Sequence, residues 1–307
     1  MIEHVLPRCN AGTASGLAAV LLWSATMALT RSLSEQVGPL TAGASVHLIA
    51  GFLSLAWLAC APGSIGRLAR LPRRYLLGCG SLFACYMLAL FLGVGLAADR
   101  VQVLEVGLLN YLWPALTILL SVPILGKTAS LLLVPGTLLA SAGIILAFTQ
   151  GTDLSWHTLA SNLASNPAAY GLGLAAACSW ALYSNLTRRW AGTERQGAVD
   201  LFLPATGLVL LVLALGFRES ATWTDRAVLE ATGLGSVTWT AYRCWDLAMR
   251  KGDVVLVSAC SYLTPLLSTL LSCFYLGVSP GAGLWMGCLL VVVGSLLSWA
   301  SMAFRFR

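Results

Sequence analysis

The sequence predicts an all-α polytopic membrane protein, with ten transmembrane helices arranged as two inverted five-helix repeats around a central cavity. Three observations support this fold class. The 307 residues are 58% hydrophobic and only 10% charged, with a mean hydropathy of +0.82, whereas soluble domains carry about 25% charged residues. The apolar residues form runs of about 20, the length at which an α-helix crosses a bilayer. One proline-containing hydrophobic segment also occurs twice.

Ten apolar segments are predicted to span the bilayer. Strands of a membrane β-barrel are about 10 residues long and alternate in polarity, so these long continuous segments exclude a barrel. The connections between them are too short for a soluble catalytic or binding domain. The predicted spans lie near residues 13–32, 38–60, 74–97, 102–124, 129–149, 168–190, 197–216, 230–249, 254–275 and 281–303.

The distribution of lysine and arginine predicts the orientation. If the N-terminus is cytoplasmic, thirteen of the eighteen basic residues fall in cytoplasmic segments and four in external ones, with Arg243 inside a span. Basic residues concentrate in cytoplasmic loops of membrane proteins. We therefore expect both termini in the cytoplasm. The net charge of +6 then belongs to the cytoplasmic rim beside the lipid bilayer and indicates no nucleic-acid partner.

Two pairs of similar segments indicate an internal repeat. NYLWPALTILLSVPILG at 110–126 aligns with SYLTPLLSTLLSCFYLG at 261–277, and LLWSATMALTRSL at 21–33 aligns with CSWALYSNLTRRW at 178–190. The chain thus divides into a first repeat over 1–155 and a second over 156–307, forming one membrane domain. Because five spans is an odd number, the second repeat must enter the membrane from the opposite side. Inverted repeats are typical of secondary transporters.

The aligned segments place Pro114 and Pro265 at matching positions. Proline has no N–H and clashes with the carbonyl four residues earlier, here that of Asn110 or Ser261. We expect both helices to be kinked at the same depth and to act as hinges. A purely packing role for the two prolines is the alternative.

At Trp23, at NYLWP (110–114) and at SWALYSN (179–185), the sequence resembles the drug/metabolite transporter superfamily and, within it, the EamA-type exporters. The resemblance covers essentially the whole chain. It implies a ten-helix secondary transporter of the bacterial inner membrane that exports Phe, Tyr, Trp and other small neutral or cationic compounds by alternating access. Members of the superfamily move very different molecules, so another metabolite or drug remains an alternative. No cofactor, metal or obligate protein partner is expected.

Aromatic residues near the middle of spans are the candidate substrate site, because membrane Trp and Tyr ordinarily concentrate at the interfaces. A cavity lined by rings suits a flat aromatic side chain or an organic cation, and two amides could contact the polar groups of the substrate. Helix packing is the alternative for these side chains. The candidates are Trp23, Tyr86, Asn110, Tyr111, Trp113, Trp180, Tyr183, Asn185 and Tyr262. Trp57, in contrast, fits an interfacial position.

Three ionisable residues inside spans are candidates for coupling or for the rim of the pathway. His47 is the only histidine in a span and titrates near neutral pH, although a hydrogen bond across helices is an equal alternative. Arg243 and Asp246 lie three residues apart, so they could pair on one helix face. Asp246 also precedes Arg250 by four residues. These charges fit two interpretations: a series of ion pairs along the helix near its cytoplasmic end, or a charged rim at the cytoplasmic entrance of the pathway.

Other classes of function fit the sequence less well. An intramembrane enzyme would need a nucleophile with its base, a metal-binding set or a pair of aspartates, and none is evident in the sequence. A receptor would need a ligand-binding domain or long loop, and would leave the repeat unexplained. The sequence contains no P-loop for ATP, so a secondary carrier is favoured. A channel-like facilitator remains an alternative, which saturable transport would exclude.

Overall fold

The N-terminal half begins with two long helices joined by one glycine. In the computed structural model, which describes residues 10–149, 156–192, 196–264, 266–268, 270 and 282–303, α1 spans Ala11–Val37 and α2 spans Pro39–Cys60. Asn10 caps α1 by accepting a hydrogen bond from the Thr13 backbone N–H at 2.9 Å. Gly38 has a φ of 85°, which glycine adopts without steric cost, so a single residue suffices to join the two helices.

Six further elements complete the first half. A π-helical turn at Tyr75–Cys79 runs directly into α4, and Asp99 caps α5 by accepting a hydrogen bond from the Gln102 backbone N–H at 2.8 Å. The elements are α3 (Ser64–Ala69), the π-helical turn, α4 (Gly80–Leu96), α5 (Arg100–Asn110), α6 (Trp113–Leu125) and α7 (Leu133–Thr149).

The described part of the second half contains six helices, the first of which is a short helix. Side-chain caps at Asn166, Thr224 and Asp253 fix the first turns of three of its helices, because each satisfies a backbone N–H that has no partner within the helix. The helices are α8 (Trp156–Ser165), α9 (Pro167–Trp190), α10 (Val199–Phe217), α11 (Asp225–Lys251), α12 (Val254–Cys260) and α13 (Ala282–Ala303).

The predicted spans agree with these helices in position, and two short helices were not predicted. The span at 102–124 is divided into α5 and α6, and that at 254–275 begins with α12, turns at 261–262 and has helical residues at 263–264, 266–268 and 270. The unpredicted helices are α3 and α8. The latter is anchored to the first half, because Asn162 donates a hydrogen bond to the Glu105 carboxylate at 3.0 Å.

The helix surfaces identify a multi-pass membrane protein. Within the described part of the chain, five helical stretches are both long and apolar enough to cross a bilayer: Pro39–Cys60, Tyr75–Leu96, Val101–Leu125, Val199–Phe217 and Trp285–Met302. Large apolar side chains on several of these helices point outward, including Phe52 at 71% exposure and Val212 at 68%. Outward-facing apolar side chains on helices of this length suit contact with lipid. The count of ten spans stays a prediction.

Helices of the two halves pack in matched pairs. The most extensive contacts join α7 to α13, α2 to α10, α1 to α11, and α4 to α9; α6 also packs on α9, and α12 on α1. We number the spans of each half in order, so that α1 corresponds to α9 and α4 to α11. Exchanging the halves then converts α1–α11 into α9–α4 and leaves the set of pairs unchanged, the pattern that a two-fold repeat produces.

Glycines at matching positions bring α7 and α13 into close contact. A Cβ atom on Gly143 would lie 2.7 Å from the Gly287 carbonyl oxygen, and one on Gly136 would lie 3.0 Å from that of Gly294. Gly136 and Gly287 are separated by 151 residues, as are Gly143 and Gly294. Exchanging the halves therefore converts the contact of Gly143 with Gly287 into that of Gly294 with Gly136. Close approach of helices through small residues is characteristic of membrane proteins.

Candidate functional site

Aromatic rings from both halves meet in the core of the molecule around Trp180. This side chain is 1% exposed. Its ring centroid lies 5.7 Å from that of Trp23, 4.7 Å from Tyr86, 6.1 Å from Trp113 and 5.1 Å from Tyr183. The five predicted residues come from α1, α4, α6 and α9, and the fold places them in one cluster, which we call the aromatic core.

The aromatic core includes rings that the sequence analysis missed. Tyr242 and Trp245 on α11 lie 5.4 Å and 5.2 Å from Trp23 between ring centroids, and Phe83 on α4 lies 5.1 Å from Tyr242. The signal that could have identified them is the three-residue spacing of Tyr242 and Trp245, which places both rings on one face of α11. Phe83 and Tyr86 have the same spacing on α4.

Two predicted tyrosines lie in a neighbouring apolar cluster. Tyr111 and Tyr262 are 8% and 0% exposed and pack with Ile118, Ala259 and Val291 between α6, α12 and α13. Tyr111 also lies near enough to Tyr86 to interact with it. The structure therefore brings Tyr111 to the edge of the aromatic core, whereas Tyr262 packs in the second cluster.

The two predicted amides differ in their surroundings. The side chain of Asn110 reaches the Tyr86 hydroxyl, and its oxygen has no hydrogen-bond donor among the described atoms. Asn185 is fully buried and donates hydrogen bonds to the carbonyls of Thr117 and Ala181, both at 2.9 Å. Asn185 thus uses both of its amide hydrogens on backbone carbonyls, one of which ties α9 to α6, whereas Asn110 keeps an acceptor beside the aromatic core.

The predicted kink at Pro114 takes the form of a break between two helices. The α-helix ends at Asn110, Tyr111 and Leu112 form a turn, and Pro114 falls in the first turn of α6, where its missing N–H costs nothing. The aligned segment breaks one position earlier, because α12 ends at Cys260 and a turn follows at 261–262. Pro265 lies outside the described residues.

His47 borders the aromatic core from α2. It is 3% exposed, and its ring centroid lies 6.3 Å from that of Tyr242 and 6.2 Å from that of Phe91. Nδ1 lies 2.8 Å from the Gly43 carbonyl oxygen, which can only accept, so Nδ1 carries a proton. Nε2 has no partner within the described part of the chain.

A charged cavity of about 490 Å³ opens at the end of the helices that carries most of the basic residues. It lies between α2, α10 and α11 and the segment that precedes α10. We call this space the vestibule. Its lining includes Trp57, Arg67, Gln196, Asp200, Arg243, Cys244, Asp246 and Arg250.

The ion pairs in the vestibule differ from the predicted pairing of Arg243 with Asp246. Asp246 instead binds Arg250 at 2.8 Å and accepts a hydrogen bond from the Tyr75 hydroxyl at 2.9 Å. Arg243 turns toward Asp200, with 3.9 Å between Nε and Oδ1. Arg243 therefore does not form the pair with Asp246 that its spacing allowed, whereas the four-residue spacing of Asp246 and Arg250 does produce an ion pair. One helical turn separates Asp246 from Arg250, so those two side chains meet, and the Tyr75 bond holds the carboxylate there.

Comparisons with known proteins identify the family. The model of the EamA-like transporter family matches the chain twice, over residues 10–149 and 167–300.

The chain belongs to the EamA-like transporter family.

Curated members similar to the chain are named aromatic amino acid exporter YddG. The protein of Escherichia coli strain K12 is 31% identical over 288 residues, and that of Salmonella typhimurium strain 14028s is 32% identical over 288 residues; each match covers 94% of this chain and 96% of the relative. A further relative, from Ancylobacter novellus, is 30% identical over 297 residues, covering 94% of this chain and 97% of the relative.

A solved crystal structure superposes on the chain with a TM-score of 0.78 and 29% sequence identity, covering 94% of this chain and 97% of the other. The family membership and the named relatives indicate a membrane transporter rather than an enzyme.

Proposed function

We propose that the chain is a secondary transporter that exports Phe, Tyr and Trp across the bacterial inner membrane by alternating access. The observation that carries this proposal is the aromatic core, in which Trp23, Tyr86 and Trp113 of the first half surround Trp180 of the second. Aromatic ring pairs contribute about 0.5–1.5 kcal/mol beyond the burial of their area. The planar side chain of an aromatic substrate that packs against one of these rings gains a contact of comparable free energy.

Relatives named for aromatic amino acid export support this substrate class, because they match nearly the whole chain at 30–32% identity. The aromatic core gives that similarity a physical basis. Asn110 adds an acceptor oxygen beside Tyr86, which can accept a hydrogen bond from the ammonium group of an amino acid. We keep Trp23, Tyr86, Asn110, Tyr111, Trp113, Trp180 and Tyr183 as the substrate site, and assign Asn185 and Tyr262 to its supporting packing.

The matched packing of the two halves supports alternating access. The family model matches each half separately, and the helix pairs and the glycine contacts of α7 with α13 are unchanged when the halves are exchanged. Two inverted halves can open a shared central site to one side of the membrane and then to the other. In this proposal, the breaks before Pro114 and before Pro265 act as the hinges.

The described conformation suits uptake of substrate from the cytoplasm. The vestibule opens at the end that carries Arg67 and Arg250, which the positive-inside rule assigns to the cytoplasm. At the other end, Glu230 of α11 accepts hydrogen bonds from Ser32 and Gln36 of α1, both at 2.9 Å. These bonds join α1 to α11 and close the external end.

Efflux from proteoliposomes tests the function. Purified protein is reconstituted, and the vesicles are loaded with labelled Phe, Trp, Lys or Asp under imposed proton gradients. We expect saturable efflux of Phe and Trp, slower efflux of Lys, and none of Asp. Folded, correctly inserted protein without aromatic efflux would contradict the proposed substrate, and efflux of another metabolite would reassign it. Flux that does not saturate would indicate a channel-like facilitator.

A further inference from the structure

Arg243 occupies an unusual position in the vestibule. Its guanidinium carbon lies 4.4 Å from the ring centroid of Trp57 and 4.9 Å from that of Trp239, and its side chain is 28% exposed. Two indoles that contact one guanidinium group hold it by cation–π attraction and restrict its rotation. Arg243 therefore presents a fixed, planar cation at the wall of an open cavity of about 490 Å³.

The hydrogen-bonding capacity of Arg243 is unused within the described part of the chain. Its carboxylate neighbour, Asp200, lies 3.9 Å away, which is beyond hydrogen-bonding distance. The other two arginines that line the vestibule are engaged. Arg250 bonds to Asp246 at 2.8 Å, and Arg67 donates to Gln196 at 3.1 Å and to the carbonyl of Pro62 at 3.0 Å.

We propose that Arg243 is the docking site for the carboxylate group of the amino acid as it enters the transporter from the vestibule. The guanidinium group has parallel N–H donors that match the two oxygens of a carboxylate. This inference rests on the proposed function, since it assigns a role in recognition of the same amino acid substrate. It adds a polar subsite to a transport pathway whose central site is aromatic.

Asp200 makes the site selective for zwitterions over simple anions. Asp200 lines the same cavity as Arg243, and its Oδ1 atom is buried beside Arg243 without a hydrogen-bond partner in the described residues. An amino acid carries its ammonium and carboxylate groups on one carbon, so the two groups can face Asp200 and Arg243 together. An acid that lacks the ammonium group is repelled by the Asp200 carboxylate.

The position of Arg243 on α11 connects the vestibule to the aromatic core. Tyr242, the preceding residue, contacts Trp23 and Trp180 in the aromatic core. Trp239, one helical turn earlier, packs against the same core cluster while it holds Arg243. A substrate whose carboxylate binds Arg243 is therefore held on the same helix that contributes rings to the aromatic core.

The experiment compares Phe with phenethylamine, which has the same ring and ammonium group but no carboxylate. Initial efflux rates are measured in proteoliposomes for the wild type, Arg243→Gln, Arg243→Lys and the control Arg67→Gln. The control removes one positive charge from the same vestibule. We expect Arg243→Gln to raise the KM for Phe at least tenfold and to leave that for phenethylamine within twofold. Arg67→Gln should leave both within twofold.

Arg243→Lys keeps the charge but loses the planar pair of donors. We expect a threefold to tenfold rise in the KM for Phe alone, so this variant decides the question if Arg243→Gln does not fold. Equal changes for Phe and phenethylamine, or an unchanged KM for Phe in both folded variants, would overturn the docking role. Failure of the wild type to transport Phe would instead overturn the proposed function, and this inference with it.

Discussion

Trp180 and Trp23 contribute differently to the aromatic core. Trp180 is 1% exposed and contacts rings from α1, α4, α6 and α11, so truncating it would open a large cavity at a cost of about 3–5 kcal/mol. Trp23 lies at the border of the same core and is only partly buried. The side chain suited to test recognition of substrate is therefore Trp23.

Replacing Trp23 with alanine should lower kcat/KM for Trp efflux without reducing the amount of protein in the membrane. An aromatic interaction with the substrate is worth about 0.5–1.5 kcal/mol, so its removal should lower kcat/KM by about 2–12-fold. Trp23→Phe keeps a ring and should retain more than half of the activity. Efflux and membrane abundance are measured in parallel, and normal efflux by abundant Trp23→Ala would remove Trp23 from the substrate site.

The sequence predicted which aromatic residues cluster better than it predicted their surroundings. Midspan position correctly brought together Trp23, Tyr86, Trp113, Trp180 and Tyr183, because aromatic residues away from the interfaces pack inside the helix bundle. It could not show that Asn185 uses its amide hydrogens on backbone carbonyls of α6 and α9, since those bonds depend on the distance between helices. For the same reason, Trp57 was assigned to the interface although it contacts Arg243.

At the scale of the element, the break between α5 and α6 is the most specific feature. Pro114 lies in the first turn of α6, after a two-residue turn at Tyr111 and Leu112. The break places Asn110 and Tyr111 beside the aromatic core, so a change in angle between α5 and α6 would alter the proposed substrate site directly. The sequence predicted a kinked helix there and not two separate helices. Which of the two forms depends on packing against α9 and α12, which the sequence does not show.

Replacing Pro114 with alanine should restore a backbone N–H and favour a continuous helix from α5 to α6. We expect turnover to fall at least threefold while membrane abundance is unchanged. Pro123→Ala is the matched control, since Pro123 lies inside the same α6 but away from the break. Turnover of Pro114→Ala equal to that of the wild type and of the control would make the break a structural feature without a role in transport.

The contact of α7 with α13 tests the packing of the two halves. Alanine at Gly143 would place its Cβ 2.7 Å from the Gly287 carbonyl oxygen, and such overpacking costs about 1–3 kcal/mol. We expect a lower apparent Tm for Gly143→Ala in detergent, measured by gel filtration after heating. Gly171→Ala in α9 meets no atom within 4 Å, so its Tm should be unchanged or higher. Equal Tm values would contradict the close contact.

On the scale of the whole molecule, the order of the spans was predictable and their arrangement was not. Apolar runs located the long helices, because their length is set by the bilayer. The short helices α3 and α8 escaped prediction because both are shorter than a span, and α8 is fixed by contacts such as that of Asn162 with Glu105. The pairing of α1 with α11 and of α4 with α9 emerges only from packing in three dimensions.

The matched pairing of helices and the different contacts at the two ends are what the proposed carrier requires. The vestibule is open at one end, while Glu230, Ser32 and Gln36 join α1 to α11 at the other. A carrier of this kind exposes its site to one side at a time, so a substrate inside a vesicle can drive the exchange of a labelled substrate outside. A channel-like facilitator has no such exchange.

Counterflow of labelled Phe is therefore the most direct test of the central claim. Proteoliposomes preloaded with unlabelled Trp are diluted into a low concentration of labelled Phe, and uptake is compared with that of vesicles preloaded with Asp. The account predicts a transient accumulation of labelled Phe above its equilibrium level in the Trp-loaded vesicles alone. Uptake that only approaches equilibrium, or the same uptake with Asp inside, would contradict a carrier for aromatic amino acids.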